Sequence, residues 1–347
     1  MKKSLLVFIF LTFLPAASAW AVKVASLYQA EIPVASQSQD ERAQAMKEGL
    51  VQVLIKVSGN ADIEKNAIIK SSLQRADYYV QEYSYALPSS TSSQYLLQVH
   101  FNTKDINQLL KRAGLAHWKE SRPLTLVWLA VTDPQHSAMI IDYETPGDVL
   151  EDMKQQGKKY GLPLIFPMMD MSDVNRVTPA DVSAMDVSTL KEAGKRYSPD
   201  ALLIGNLEQS ETGAKSQWQL VLGEDQWNWT ITGKTSHDMI AELFNQISQT
   251  LAKRYVVKSA NASQRWVKLE ISNVNRRNDL SQLMQYLKQL TPVQQVQLSQ
   301  VSGDRVELSV LITGSLSAFQ QNASIGQRLI LKEQDETDSK LIYEWLH

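Results

Sequence analysis

Two aspartates follow an apolar run in the stretch LPLIFPMMDMSDV, which spans residues 162–174. The apolar run is typical of a buried strand, and Asp170 and Asp173 follow it in a polar loop. Ligands of open α/β sheets bind beyond the carboxyl ends of the strands. Asp200, which precedes the strand-like stretch ALLIGNLEQ, could lie at the same edge of the sheet. One hypothesis is therefore a metal-assisted hydrolase centred on these three aspartates.

The partners that this chemistry requires do not accompany the aspartates. The calcium-loop spacing D-x-[DN]-x-[DN]-G, a glycine-rich phosphate loop and the G-x-S-x-G motif of serine hydrolases are all absent. Aspartate commonly ends strands and caps helices, and Asp173 is a candidate cap of the turn after the strand. We therefore interpret Asp170 and Asp173 as structural and predict a protein that is not an enzyme, without catalytic, cofactor-binding or metal-binding residues.

Histidine and cysteine do not change this interpretation. The chain has no cysteine, which excludes a thiol nucleophile, a disulfide and a lipid attached to cysteine. The histidines show no H-x-x-x-H spacing, the arrangement that places two zinc ligands on one helix face. The five histidines are His100, His117, His136, His237 and His347.

The first residues predict export. Lys2 and Lys3 precede the apolar run of residues 5–14, and small residues follow, as in a secretory signal peptide. We expect cleavage after Ala19 or Ala21. The apolar run is too short to span a bilayer, which takes about 20 residues. These features predict a periplasmic protein with neither a membrane span nor a lipid anchor in its mature form.

The charge balance excludes one class of partner. The chain carries 35 basic and 37 acidic residues, for a net charge of −2, with neither sign concentrated in a long run. A nucleic-acid-binding protein needs a basic face. We therefore expect no nucleic acid among its partners.

The periodicity of apolar residues predicts a multidomain fold of the α+β and α/β classes. Beyond the signal peptide (residues 1–21), it indicates an N-terminal α+β domain over residues 22–118 and a central α/β domain with a layered sheet over residues 122–257. Residues 264–335 show the βαββαβ order of a ferredoxin-like domain. Residues 336–347 then form a tail or an edge strand.

Local signals support these elements. SQSQDERAQAMKEGLVQVLIKVSG reads as a helix with Ser36 or Ser38 as its N-cap and Gly59 at its end. Trp227 and Trp229 share one face of a strand, and Trp218 is expected on the adjacent strand. Aromatic platforms can bind sugars, but packing against the following helix explains these tryptophans better.

Four phrases together resemble the exported Gram-negative proteins of domain-of-unknown-function family 2066. They are YQAEIPVASQSQDERAQAMKEGLVQVLIKVSGN, GLPLIFPMMDMSDV, KRYSPDALLIGNLEQ and WQLVLGEDQWNWTITG. The resemblance covers the first two segments and implies no established activity and no catalytic residues.

The observations together favour a non-enzymatic accessory or scaffold protein of the cell envelope that acts through contacts with other envelope proteins. The metal-assisted hydrolase remains one alternative. A periplasmic solute-binding protein, with its pocket between the first two segments, is the other.

Overall fold

The computed structural model describes residues 27–87, 94–115, 117–134, 137–210, 213–255, 263–335 and 340–346. The predicted signal peptide, with Ala19 and Ala21, lies outside the described residues. Within them the chain combines helices with antiparallel and mixed sheets, which is an α+β multidomain arrangement. No helix of this part of the chain has the length and apolar character needed to cross a bilayer.

The first part is an antiparallel sheet of order β1-β3-β2, covered on its inner face by a long helix. The helix begins after Ser38, whose hydroxyl accepts a hydrogen bond from the N–H of Glu41 at 3.3 Å. It ends at Gly59, whose φ of +67° lies in the left-handed region that favours glycine. The predicted cap and the predicted end are both confirmed. The elements are β1 (Gln29–Val34), α1 (Gln39–Ser58), α2 (Ala67–Ser72), β2 (Val80–Ala86), β3 (Tyr95–Phe101) and α3 (Thr103–Arg112).

The central part is a six-stranded mixed sheet of order β5-β4-β7-β8-β9, with β6 also paired to β4. Strand β4 is parallel to β6 and β7, and its side chains alternate between two apolar clusters. Val127 and Leu129 join the cluster that contains α4 and α8, whereas Leu126 and Trp128 join the one that contains α6 and α7. The elements are β4 (Thr125–Thr132), β5 (Met139–Ile140), α4 (Asp148–Tyr160), β6 (Leu164–Ile165), α5 (Met171–Val174), α6 (Pro179–Ser183), α7 (Val187–Gly194), β7 (Ala201–Ser210), β8 (Gly213–Leu222), β9 (Asp225–Gly233) and α8 (Ser236–Tyr255).

One apolar cluster extends through both of these parts. At the junction, a Cβ atom added to Gly59 would lie 2.6 Å from the Cβ of Ala252, and the hydroxyl of Ser248 donates to the carbonyl of Gly59 at 3.1 Å. Trp118 stacks on Tyr255 with 6.0 Å between ring centroids. The described side chains where the first two segments meet are therefore packed against one another.

The C-terminal part is a five-stranded sheet of order β11-β12-β10-β14-β13. The expected terminal strand is present as β14, but it does not lie at the edge of the sheet, because it stands between β13 and β10 and runs parallel to β10. The reason is burial: Leu341, Tyr343 and Trp345 are at most 2% exposed, whereas Ile330 and Leu331 of β13 are about 40% exposed. Strand β13 is thus not a neighbour of β10, and the sheet departs from the predicted ferredoxin-like order. The elements are β10 (Gln264–Ser272), α9 (Arg277–Gln289), β11 (Val293–Ser302), β12 (Arg305–Thr313), α10 (Leu316–Ala323), β13 (Leu329–Asp335) and β14 (Lys340–Trp345).

Candidate functional site

The strand that precedes the two aspartates is much shorter than the sequence predicts. Only Leu164–Ile165 (β6) pairs with β4, and the chain leaves the sheet well before Asp170. Pro163 and Pro167 flank this pair of residues, and proline has no N–H group to donate to a strand ladder. An irregular segment therefore separates the aspartates from the sheet.

Asp170 caps the one-turn helix α5. Its carboxylate accepts hydrogen bonds from the N–H groups of Ser172 at 2.9 Å and Asp173 at 3.2 Å. Arg196 donates to both of its oxygens at 2.7 Å, and this hydrogen bonding is the main reason that the pKa of Asp170 falls to about 2. The expectation that Asp173 is the cap is wrong, because Asp173 is already the third residue of the helix.

Asp173 is the buried member of the pair, with only 1% of its surface exposed. One carboxylate oxygen accepts hydrogen bonds from the hydroxyl of Tyr197 at 2.5 Å and from the N–H of Met169 at 3.1 Å. The other oxygen accepts a hydrogen bond from Arg196 at 3.2 Å. Both oxygens are thus engaged by donors of the same chain, as a structural role requires.

Arg196 and Tyr197 are the partners that sequence reasoning missed. They lie in the turn after α7, between 23 and 26 residues from the aspartates that they contact. Burial, followed by the hydrogen bond to Asp173, raises the pKa of Tyr197 to about 12, so the hydroxyl stays protonated. A single sequence carries no signal for this pairing, because the turn brings the residues together only when the chain is folded.

The cluster of Asp170, Asp173, Arg196 and Tyr197, here called the carboxylate cluster, holds the backbone of the preceding residues. The hydroxyl of Tyr197 accepts a hydrogen bond from the N–H of Met168 at 2.9 Å, and Asp173 accepts the one from Met169. Met169 has a φ of +49°, a left-handed conformation that is uncommon for a residue other than glycine. Such a conformation persists where the surrounding contacts enforce it.

Several of the exposed side chains of this segment are apolar. Met168, Met171 and Val174 are 64%, 75% and 52% exposed, and Tyr143 is 65% exposed. The N–H of Tyr143 donates to the carbonyl of Pro167 at 3.1 Å, which places the backbone of Tyr143 next to that of Met168. Met171 and Val174 are three residues apart on α5 and so share one of its faces. We call these four exposed side chains the methionine patch.

Asp200 is not part of the carboxylate cluster and instead connects two other segments of the chain. One of its oxygens accepts a hydrogen bond from the N–H of Leu124 at 2.8 Å, and the other accepts one from the N–H of Gly326 at 2.7 Å. Burial raises the pKa of Asp200 to about 6. The structure therefore brings Asp170 and Asp173 together but uses Asp200 to join the central part to the C-terminal part. Among the described residues, no group of three or more His, Asp or Glu side chains is arranged to hold a metal ion.

The described histidines are dispersed. His117 is half-buried beside Tyr28, 3.1 Å from its hydroxyl, and burial lowers the pKa of His117 to about 4. His100 contacts Glu82, and His237 contacts Asp152, which raises the pKa of His237. His136 and His347 lie outside the described residues.

The tryptophans of the central hairpin belong to the core. Trp218 is 1% exposed and stands directly opposite Trp229 on the adjacent strand, as the spacing predicts. Trp227 and Trp229 are half-buried and pack against the apolar cluster that contains α8. Their packing supports the core interpretation over a sugar platform.

A family model matches the first segment of the chain. The model of a domain of unknown function (DUF8605) matches residues 21–119. This agrees with a resemblance to proteins without an established activity, although the family number differs from 2066. No curated protein matches the chain.

Solved structures resemble the chain only weakly. A structure described as an uncharacterized protein is 10% identical, covers 38% of this chain and 91% of its own, and has a TM-score of 0.16. A selenomethionine-substituted allophanate hydrolase from Kluyveromyces lactis is 9% identical, covers 78% of this chain and 67% of its own, and has a TM-score of 0.17. These scores are too low to carry any argument about fold or activity.

Proposed function

We propose that the chain is an exported, non-enzymatic accessory or scaffold protein of the cell envelope, and that the methionine patch is a surface through which it contacts another protein. One observation supports this most directly. The segment that looks like an active site buries the carboxylate of Asp173 against Arg196 and Tyr197, pairs Asp170 with Arg196, and exposes its apolar side chains.

The arrangement suits binding better than catalysis. A general acid or a metal ligand must be able to reach a substrate or an ion, whereas Asp173 is 1% exposed and hydrogen-bonded through both oxygens. Exposed apolar side chains that lie close together mark contact surfaces. Methionine suits such a surface because its unbranched thioether side chain adapts to different partner shapes.

The fixed backbone of this segment and the flexible side chains of the methionine patch have separate roles in binding. The carboxylate cluster holds Met168 and Met169 in one backbone conformation, which lowers the entropy lost when a partner binds.

The periplasmic location, cleavage after Ala19 or Ala21, the resemblance to family 2066 and the domain bounds given above belong to the same proposal.

A photo-crosslinking amino acid at Met171 tests the proposed contact in the cell envelope. We expect one discrete crosslinked product with an envelope protein, and its loss when Met168→Gln and Val174→Gln are added to the same chain. Asn228 is the matched control, because it is exposed on β9, which forms the edge of the central sheet opposite to β5. Identical products at both positions, or none at Met171, would contradict the proposal.

A second measurement separates binding from metal-assisted hydrolysis. A ligand that binds only the native state raises the melting temperature. We expect Mg²⁺, Ca²⁺ and Zn²⁺ to leave the melting temperatures of the wild type and of Asp170→Ala unchanged. A metal-dependent rise in the wild type that disappears in Asp170→Ala would instead favour the hydrolase.

A further inference from the structure

Strand β11 forms one edge of the C-terminal sheet, and no other described strand pairs with its outer side. Its ten residues, VQQVQLSQVS, include no charged side chain. The opposite edge, β13, carries Lys332, which pairs with Glu344 at 2.5 Å. Charged side chains on an edge strand discourage pairing with another chain. β11 lacks this protection along its whole length.

The register with β12 assigns each side chain of β11 to a face of the sheet. Val296 and Leu298 lie opposite Val310 and Leu308, which are at most 1% exposed and belong to the C-terminal apolar cluster. The glutamines of β11 lie opposite β12 residues whose side chains point to the other face of the sheet. These pairs are Gln295 with Leu311, Gln297 with Ser309 and Gln300 with Glu307. A register shift between Leu298 and Gln300 keeps the glutamines on one face and the aliphatic side chains on the other.

The apolar face of β11 is incompletely covered. Leu298 is 48% exposed and Val301 is 53% exposed, although their partners on β12 are buried. The other long uncharged edge, from Gln226 to Gly233 on β9, differs in this respect. Trp227, Trp229 and Ile231 of β9 all pack against the apolar cluster that contains α8. Of the two long uncharged edges, therefore, only β11 carries aliphatic side chains that lack a cover among the described residues.

The order of side chains along β11 is self-complementary. When two copies of the strand run antiparallel about a two-fold axis at Gln297, Val296 of each copy lies opposite Leu298 of the other. On the opposite face Gln297 meets Gln297. Gln295 meets Gln300, because Ser299 is the extra residue at the register shift. Aliphatic side chains then meet aliphatic ones, amides meet amides, and no like charges are brought together. A closed two-fold contact requires this kind of match.

We propose that two copies of this chain associate through antiparallel pairing of β11, over residues 295–300, to form a continuous ten-stranded sheet. The stretch is bounded on one side by Lys119, whose ammonium group donates to the carbonyl of Val293 at 2.5 Å and so occupies that end of the strand. This interface is independent of the methionine patch, which lies on the central part.

The test uses the full chain and measures its mass by sedimentation between about 1 and 100 µM, a range that covers weak dimers. We expect a dimer whose dissociation constant rises at least about tenfold in Gln297→Lys, because two ammonium groups then face each other across the axis. Asn228→Lys is the matched control, since it adds the same charge to the exposed face of β9. The control should leave the dissociation constant unchanged.

A single cysteine checks the register. The chain has no cysteine, so Gln297→Cys introduces one thiol per copy, at positions about 4.5–5.5 Å apart between Cβ atoms across the axis. We expect mild oxidation to link Gln297→Cys into a covalent dimer much faster than Asn228→Cys. A wild type that stays monomeric over the whole range, a dimer that survives Gln297→Lys, or equal crosslinking of the two cysteine variants would each overturn the proposal. A monomer that instead captures a strand of another protein on β11 would do so as well.

Discussion

Replacing Asp173 by alanine measures how much the buried carboxylate of the cluster contributes to the free energy of unfolding. The substitution leaves the hydroxyl of Tyr197 and the N–H of Met169 without their acceptor, whereas Arg196 keeps its two hydrogen bonds to Asp170. An unsatisfied buried donor costs about 1–3 kcal/mol. Because Tyr197 and Met169 are half-buried, water reaches them in part. We therefore expect Asp173→Ala to lower the free energy of unfolding by about 2–4 kcal/mol.

Asp170→Ala is the matched control, because it removes the exposed carboxylate of the same cluster. It deletes a helix cap, which typically costs about 0.5–2 kcal/mol. Urea unfolding, followed in parallel by tryptophan fluorescence and circular dichroism, measures both losses and shows whether the transitions coincide. We expect Asp173→Ala to be the more destabilising of the two.

A double-mutant cycle then tests the network itself. Tyr197→Phe removes the hydroxyl that joins Asp173 to Met168. If these contacts form one network, the double variant Asp173→Ala with Tyr197→Phe loses less stability than the sum of the two single losses, since neighbouring contacts are not additive. Additive losses, or an Asp173→Ala no worse than Asp170→Ala, would refute the assignment of Asp173 as the buried acceptor.

Two further predictions concern other parts of the chain. The pKa of Asp200 is raised from 3.8 to about 6 by burial, so its protonated form stabilises the fold, and this contribution is lost as the pH rises from about 4 through 6. We expect the free energy of unfolding to fall by about 2–3 kcal/mol over this range, and Asp200→Asn to flatten the pH dependence; an unchanged slope would be evidence against it. At Gly205, a Cβ atom would lie 2.3 Å from the ring of Trp218. Gly205→Ala should therefore cost about 1–3 kcal/mol by overpacking, and much less in a Trp218→Ala background, as urea unfolding of the four chains would show.

Local signals in the sequence predicted much of the fold. Ser38 and Gly59 mark the ends of α1 because a cap and a left-handed glycine act within one or two turns. The period of two correctly placed Trp227 and Trp229 on one face of β9, beside Trp218 of β8. These features depend on near neighbours, which a single sequence displays directly.

The features that escaped prediction depend on distant residues. The order of β14 and β13 is decided by which strand buries Leu341, Tyr343 and Trp345 against the apolar cluster, and both strands are compatible with an edge position by sequence alone. The sequence assigned the cap to Asp173 instead of Asp170, because the choice between cap and buried acceptor depends on Arg196 and Tyr197.

The central position of β14 also sets the order in which the C-terminal sheet can assemble. β14 pairs with β10, and contacts between the two regions join residues about 70 positions apart in the chain. A pairing of this separation has to close a long loop before any contact is gained, which makes it slow compared with the local hairpin of β11 and β12. Until β14 arrives, the side of β10 that receives it is a second open edge next to an incomplete core. The interval before β14 arrives is therefore the stage at which this unit is most exposed to aggregation.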